Sequence, residues 1–189
     1  MMIRISFLVG LLVFAIAPAR AGVIVYTPDV DFGGASFGGG EATGVAEYVP
    51  NYGATAADFA GFTAGHIAVI DRGVVFFAEK VQNAQDAGAI GVIVLDAPPL
   101  NPSLGMGGSS ATIIIPSVRI AQSLGDALRA ELLANPSTPI VFHLSLSPLT
   151  LERFEAVPEP SALILSSIML GVAGAGWSVR TLRLKRKVA

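Results

Sequence analysis

Residues 161–179 read SALILSSIMLGVAGAGWSV, nineteen positions without a charge, and Arg180, Arg183, Lys185, Arg186 and Lys187 follow with no acid among them. As a helix rising ~1.5 Å per residue, this stretch reaches about the thickness of a hydrocarbon core. A buried core helix would leave the five cations at its end without solvent, so the segment is expected to cross a bilayer. The basic cluster places its C-terminal end in the cytoplasm, with Trp177 at the interface. Whatever folds before residue 161 therefore lies on the other side of the membrane.

The opening residues agree with that orientation. One positive charge at Arg4 precedes an apolar run over residues 5–17, and Ala19-Arg20-Ala21 supplies small residues around a cleavage point. This order predicts an export signal over residues 1–21, removed before Gly22; the run is shorter than the ~20 residues that a spanning helix needs. Residues 22–156 then form one extracytoplasmic domain, long enough to bury its own core. From residue 22 to 157 the chain carries five basic residues (Arg72, Lys80, Arg119, Arg129 and Arg153) against thirteen acids, a net charge of −8. Such a surface repels phosphates, which sets nucleic acid aside as a partner. There is no cysteine, so disulfides, thiolate metal sites and a cysteine nucleophile are all excluded.

Within the domain, short apolar runs alternate with glycine-rich punctuation, the pattern of a mixed α/β (α+β) fold. Residues 23–26 predict a strand, and residues 31–44 (DFGGASFGGGEATG) predict a loop or irregular hairpin. Residues 66–71 predict a second strand that ends in the turn Asp71-Arg72-Gly73, with a local ion pair. A helix is predicted over residues 77–87, where Phe77, Val81 and Ala84 share a face and Gly88 follows the last turn. Residues 89–95 (AIGVIVL) predict a strand covered on both faces. A second long loop is expected over residues 97–110, then a strand over 112–115 stopped by Pro116. Ser117 is expected to cap a helix from 118 to about 133, in which Ile120, Leu124, Leu128 and Leu132 recur every fourth residue. Residues 138–147 alternate, putting Ile140, Phe142, Leu144 and Leu146 on one face and closing the domain.

Two groups of residues carry family resemblances. HIAVIDRG (66–73), FAEK (77–80), AQDAGAIGVIV (84–94) and IPSVRI (115–120) occur in an order and spacing that resembles the protease-associated (PA) domain across about a hundred residues. The resemblance implies a β-sandwich-like or open-barrel core with flanking helices, serving as a substrate gate or protein-binding lid and supplying no catalytic residue. It makes Asp71, Arg72, Gly73, Phe77, Lys80, Ala87, Gly88 and Pro116 structural members of the motif. At Val75 many relatives carry a cysteine, so their disulfide is not expected here. At the C-terminal end, Pro158-Glu159-Pro160, the apolar stretch 161–179 and the basic residues 180–189 resemble the PEP-CTERM sorting signal of Gram-negative bacteria. That resemblance implies an exosortase-type sorting enzyme as partner. It also implies an inner-membrane stage with the domain in the periplasm, then delivery to the cell surface or extracellular matrix.

Catalytic chemistry finds little footing. His66 and His143 are the two imidazoles, neither in a metal-binding spacing, and both are expected to be solvated. Gly107-Gly108-Ser109-Ser110-Ala111 is not a nucleophile elbow. Asp71, Arg72 and Lys80 are expected to be paired or solvated side chains. No cofactor or metal is expected. The leading expectation is a non-catalytic module that binds a protein or peptide through loops 31–44 and 97–110. The rivals are an extracytoplasmic hydrolase, which a serine-reactive probe would label, and a structural component of the matrix.

Overall fold

The computed structural model describes residues 22–98 and 104–154, all of them within one compact unit, residues Ala21–Ala156. The expected signal peptide with Ala19 and Ala21, the motif Pro158-Glu159-Pro160, the apolar stretch and the basic tail lie outside the described residues. Among the described residues no helix is long and apolar enough to cross a membrane.

Among the described residues, eight strands build the unit: β1 (Val23–Val25), β2 (Phe32–Gly34), β3 (Glu41–Val49), β4 (Ile67–Asp71), β5 (Gly91–Leu95), β6 (Ser117–Ile120), β7 (Val141–Leu146) and β8 (Leu149–Phe154). They form one sheet in the order β1-β8-β7-β3-β4-β5-β6-β2. Strands β3 to β6 run parallel, while β1, β8 and β7 on one side and β2 on the other are antiparallel to their neighbours. Parallel neighbours need crossovers. Helix α1 (Phe77–Asp86) links β4 to β5, and helix α2 (Gln122–Ala134) returns the chain from β6 towards β7.

The apolar pattern divides the core between the two faces of the sheet. Val81 and Ala84 of α1 pack with Ala68, Ile70, Val92 and Val94 on one face. Leu128 of α2 packs with Ile67, Val69, Ile93 and Leu95 on the other, joined by Phe142, Leu144 and Leu151 from the antiparallel strands. Every residue of β5 is buried, at about 1.5–3 kcal/mol for each large aliphatic side chain. The sheet curls rather than splitting into two stacked layers: a Cβ at Gly34, on the β2 edge, would stand 2.9 Å from Leu149 and 3.1 Å from Leu146 in the β7–β8 hairpin. The expected sandwich is thus replaced by one curled sheet, in keeping with the open-barrel expectation.

Four local expectations need correction. Residues 31–44 are not a free loop: Phe32–Gly34 pairs with β6, and Glu41 opens the nine-residue strand β3. Their small residues serve close packing, since a Cβ at Gly33 would stand 2.5 Å from the Leu104 backbone and one at Gly44 2.9 Å from Ile90. Residues 112–115 are not a strand. The Ile114 N–H donates to Gln85 Oε1 at 2.7 Å, so a side chain of α1 takes the bond a ladder would have made. Ser117 caps no helix; it begins β6 immediately after Pro116, whose carbonyl accepts from the Val92 N–H. The helix starts four residues later than expected, at Gln122. Nor does β7 close the domain, because β8 follows and carries the edge strand β1.

Candidate functional site

The carboxyl ends of β4, β5 and β6 bring together residues far apart in sequence. Arg72, just past β4, donates from Nη1 to Asp96 Oδ1 at 2.8 Å and to the Ala97 carbonyl at 3.2 Å. Asp96 follows β5 and is 2% exposed. Arg119, at 1% exposure the largest fully buried side chain, places its Nε 4.0 Å from the same Oδ1. Its guanidinium lies 5.5 Å from the centre of the Phe77 ring. Burial pulls the Arg119 guanidinium below its usual value, and the Asp96 carboxylate opposes that shift.

Asp71 is engaged elsewhere. Its carboxylate accepts from the Tyr48 hydroxyl at 2.5 Å and stands 3.2 Å from Arg129 Nε on α2. The expected local pair between Asp71 and Arg72 is therefore corrected to two long-range pairs that tie β4 to α2 and to β5. Burial, together with the Asp71 carboxylate, pushes the Tyr48 phenol up to about 12. An unfolded tyrosine loses its proton near pH 10. The native state then holds one proton more, and stability falls between pH 10 and 12. Tyr48→Phe is expected to flatten that stretch of a plot of melting temperature against pH.

Between β4 and α1 the chain makes a strained turn. Gly73 has φ +122° and Val74 φ +67°, an uncommon conformation for a β-branched residue. The Val75 N–H donates to the Gly73 carbonyl at 2.8 Å. The turn pushes apolar side chains outward: Val74 is 75% and Phe76 86% exposed. With Arg72, Phe77, Glu79 and Gly107 they line an open cleft of about 370 Å³.

The two long loops meet beside this cleft. Met106 forms a bridge with Ala35, its N–H donates to the Gly34 carbonyl at 3.2 Å, and Ser36 Oγ donates to the Gly108 carbonyl at 2.8 Å.

The remaining motif residues hold the frame. Ala87 ends α1, donating its N–H to Asn83. Gly88 adopts φ +91°, and a Cβ there would stand 2.9 Å from that of Ala64. Lys80 departs most from expectation, because it is fully buried and donates from Nζ to the Tyr52 carbonyl. Burial lowers its pKa to about 8. His66 is half-buried, with Nδ1 2.8 Å from Glu47 Oε2, and His143 Nδ1 lies 2.8 Å from the Thr43 hydroxyl. Among the described residues no group of three or more metal-ligating side chains assembles.

Sequence reasoning missed Asp96, Tyr48, Tyr52, Val74 and Phe76. Arg119 carried a legible signal, as the one charge in an otherwise uncharged run from Ala97 to Leu124.

Comparison with known proteins agrees with this frame. The family model for the PA domain matches residues 40–128. An aminopeptidase of Pseudomonas aeruginosa (strain UCBPP-PA14) is 52% identical over 44 residues, 23% of this chain and 8% of that protein. The solved aminopeptidase from Aneurinibacillus sp. strain AM-1 superposes with a TM-score of 0.50 at 26% identity, over 74% of this chain and 31% of that one. A zinc aminopeptidase from Bacillus subtilis gives 0.46 at 22% identity, over 74% and 31%. The chain thus spans less than a third of the length of these relatives.

Proposed function

We propose, from the PA domain at residues 40–128, that this chain is an extracytoplasmic, non-catalytic binding module whose cleft takes an apolar side chain of an extended peptide or protein segment. The observation that carries the reading is the pair Val74 and Phe76, exposed at 75% and 86% on a strained turn beside an open cleft. Large apolar side chains left in water at a concave surface mark interaction sites. In open α/β sheets, ligands bind outside the carboxyl ends of the parallel strands, where this cleft lies. Arg72 and Glu79 at its wall offer polar partners to a peptide backbone.

The sorting signal belongs to the same reading. The export signal brings the domain out of the cytoplasm, residues 161–179 hold it at the membrane, and an exosortase-type enzyme processes the chain near Pro158-Glu159-Pro160. Intact mass of the native protein tests this, since retention of both Met1 and Ala189 would refute it.

Binding is tested with an array of extended peptides bearing Leu, Phe or Val at successive positions, followed by affinity measurement on the best binder. Phe76→Ser is expected to weaken that binder at least tenfold with the melting temperature unchanged, as anchors of this kind carry ~2 kcal/mol or more. Equal affinity in wild type and variant would remove the cleft from the reading. The likeness to aminopeptidases supports a peptidase-related setting, and a serine-reactive or metal-dependent peptidase activity of the purified chain would favour the hydrolase rival instead.

A further inference from the structure

Lys80 is fully buried, and among the described residues no carboxylate stands within ion-pair distance of it. Burying an ammonium without a counter-ion is costly, and the segment that covers it bears that cost. That segment contains two 3₁₀ turns, Asn51–Gly53 and Ala56–Phe59. Asn51 and Tyr52 both adopt left-handed backbone, φ +53° and +69°, at a cost of about 1–3 kcal/mol each. The turn is held down by donors from α1. Lys80 Nζ donates to the Tyr52 carbonyl, and Asn83 Nδ2 donates to the carbonyls of Gly53 at 3.2 Å and Ala54 at 3.0 Å. The Tyr52 ring lies 5.5 Å from the ammonium on one side. On another it lies behind Gly73 of the cleft, where an added Cβ would stand 3.6 Å from it.

We propose that residues 50–60 are a proton-coupled cover, closed over the Lys80 amine and opened by its hydration, and that opening withdraws Tyr52 from behind Gly73 and so reshapes the cleft. Three carboxylates act on the amine, each from a different element. Asp58 comes from the second 3₁₀ turn, Asp71 from β4 and Glu79 from α1 itself, each raising the lysine's affinity for a proton. Asp71 is partly spoken for by Tyr48 of β3 and Arg129 of α2. Desolvation outweighs the three carboxylates and leaves the pKa at about 8.

The sign follows from linkage. With the cover open, the amine meets water and titrates near its ordinary value of about 10.4. The open form therefore binds the proton more tightly, and lowering the pH favours opening. At tenfold per pKa unit, the closed-to-open ratio can change by up to about two orders of magnitude between neutral and strongly alkaline pH.

The test is amide hydrogen exchange on the full chain in detergent, resolved to peptides covering residues 50–60 and corrected for intrinsic exchange rates. In the wild type the opening constant is expected to fall about tenfold or more from pH 7 to pH 9.5, while β5 stays protected. In Lys80→Met, a neutral chain of similar length, the constant should no longer depend on pH. A wild-type opening constant that is flat with pH overturns the proposal whether or not the variant folds, and so does a Lys80→Met protein that keeps the wild-type slope.

The coupling to ligand rests on the cleft assigned under Proposed function, and the two readings fail separately. A titrating cover with no effect of Phe76→Ser on peptide affinity sinks the cleft alone, whereas peptide binding over a flat exchange profile sinks the cover alone.

Discussion

Replacing Asp96 with alanine is expected to lower the unfolding free energy by about 3–5 kcal/mol, because it removes the carboxylate that faces two arginines from inside the fold. Asp96 is 2% and Arg119 1% exposed, and Arg72 reaches the same oxygen at 2.8 Å with a quarter of its side chain still in water. The asymmetry between the arginines makes the result diagnostic. Arg72→Ala removes a partner that solvent could replace, so it should cost far less, on the order of 1 kcal/mol. Asp96→Asn keeps an acceptor for Arg72 and loses the charge, and should fall between the two. Urea unfolding followed by circular dichroism would rank the three. An Asp96→Ala protein within about 1 kcal/mol of wild type would mean that Arg72 and Arg119 hold their places without this carboxylate.

The parts of the fold that could be read from sequence are those in which one period dominates. Residues 89–95 and the helical spacing of Phe77, Val81 and Ala84 announce β5 and α1 because burial on both faces, or along one stripe, leaves little freedom of residue choice. Strand β3 escaped because two of its three buried positions are alanine and a glycine lies between them. Ala42, Gly44 and Ala46 let β7, Ile90 and β4 approach closely, and small residues read as punctuation when the neighbour that needs the space is a hundred positions away. The register of β6 was missed for a related reason. Residues 112–115 are as β-branched and apolar as any strand, but Ile114 is 75% exposed, and the backbone there bonds to the Gln85 side chain. Propensity could not see that competitor.

The candidate site was legible as a motif and illegible as geometry. Asp71-Arg72-Gly73 marked the turn correctly, yet each charge chose a partner from another strand or helix, and a pair formed over 24 positions leaves no trace in local pattern. Lys80 reads as paired or solvated because lysines on amphipathic helices usually are. Its burial depends on the strained turn at Asn51 and Tyr52, which no local signal predicts. The two long loops were read as free to vary, but residues 34–36 and 106–108 are bonded to each other.

That distinction between buried and presented aromatic rings gives the second large effect. Phe32→Ala is expected to cost about 3–5 kcal/mol, although the residue sits in a stretch whose glycine content suggests an ordinary surface loop. Phe32 has no exposed surface, pairs across the ladder with Ile120, and packs into the same cluster as Val118, Phe142 and Leu151. Neighbouring Gly33 and Gly34 leave no side chains to fill the vacated space, and backbone contact with Leu104 keeps β2 from collapsing inward, so most of the cavity should persist. The matched comparison is Phe76→Ala, the same chemical change at 86% exposure, which should shift stability by less than ~0.5 kcal/mol. A difference of several kcal/mol between the two variants, read as urea midpoints at constant m-value, would establish β2 as part of the core and leave Phe76 free for a partner. Equal midpoints would mean that β2 does not close the sheet, and Gly107, which lines the cleft, would then lose the β2 edge against which its loop is bonded.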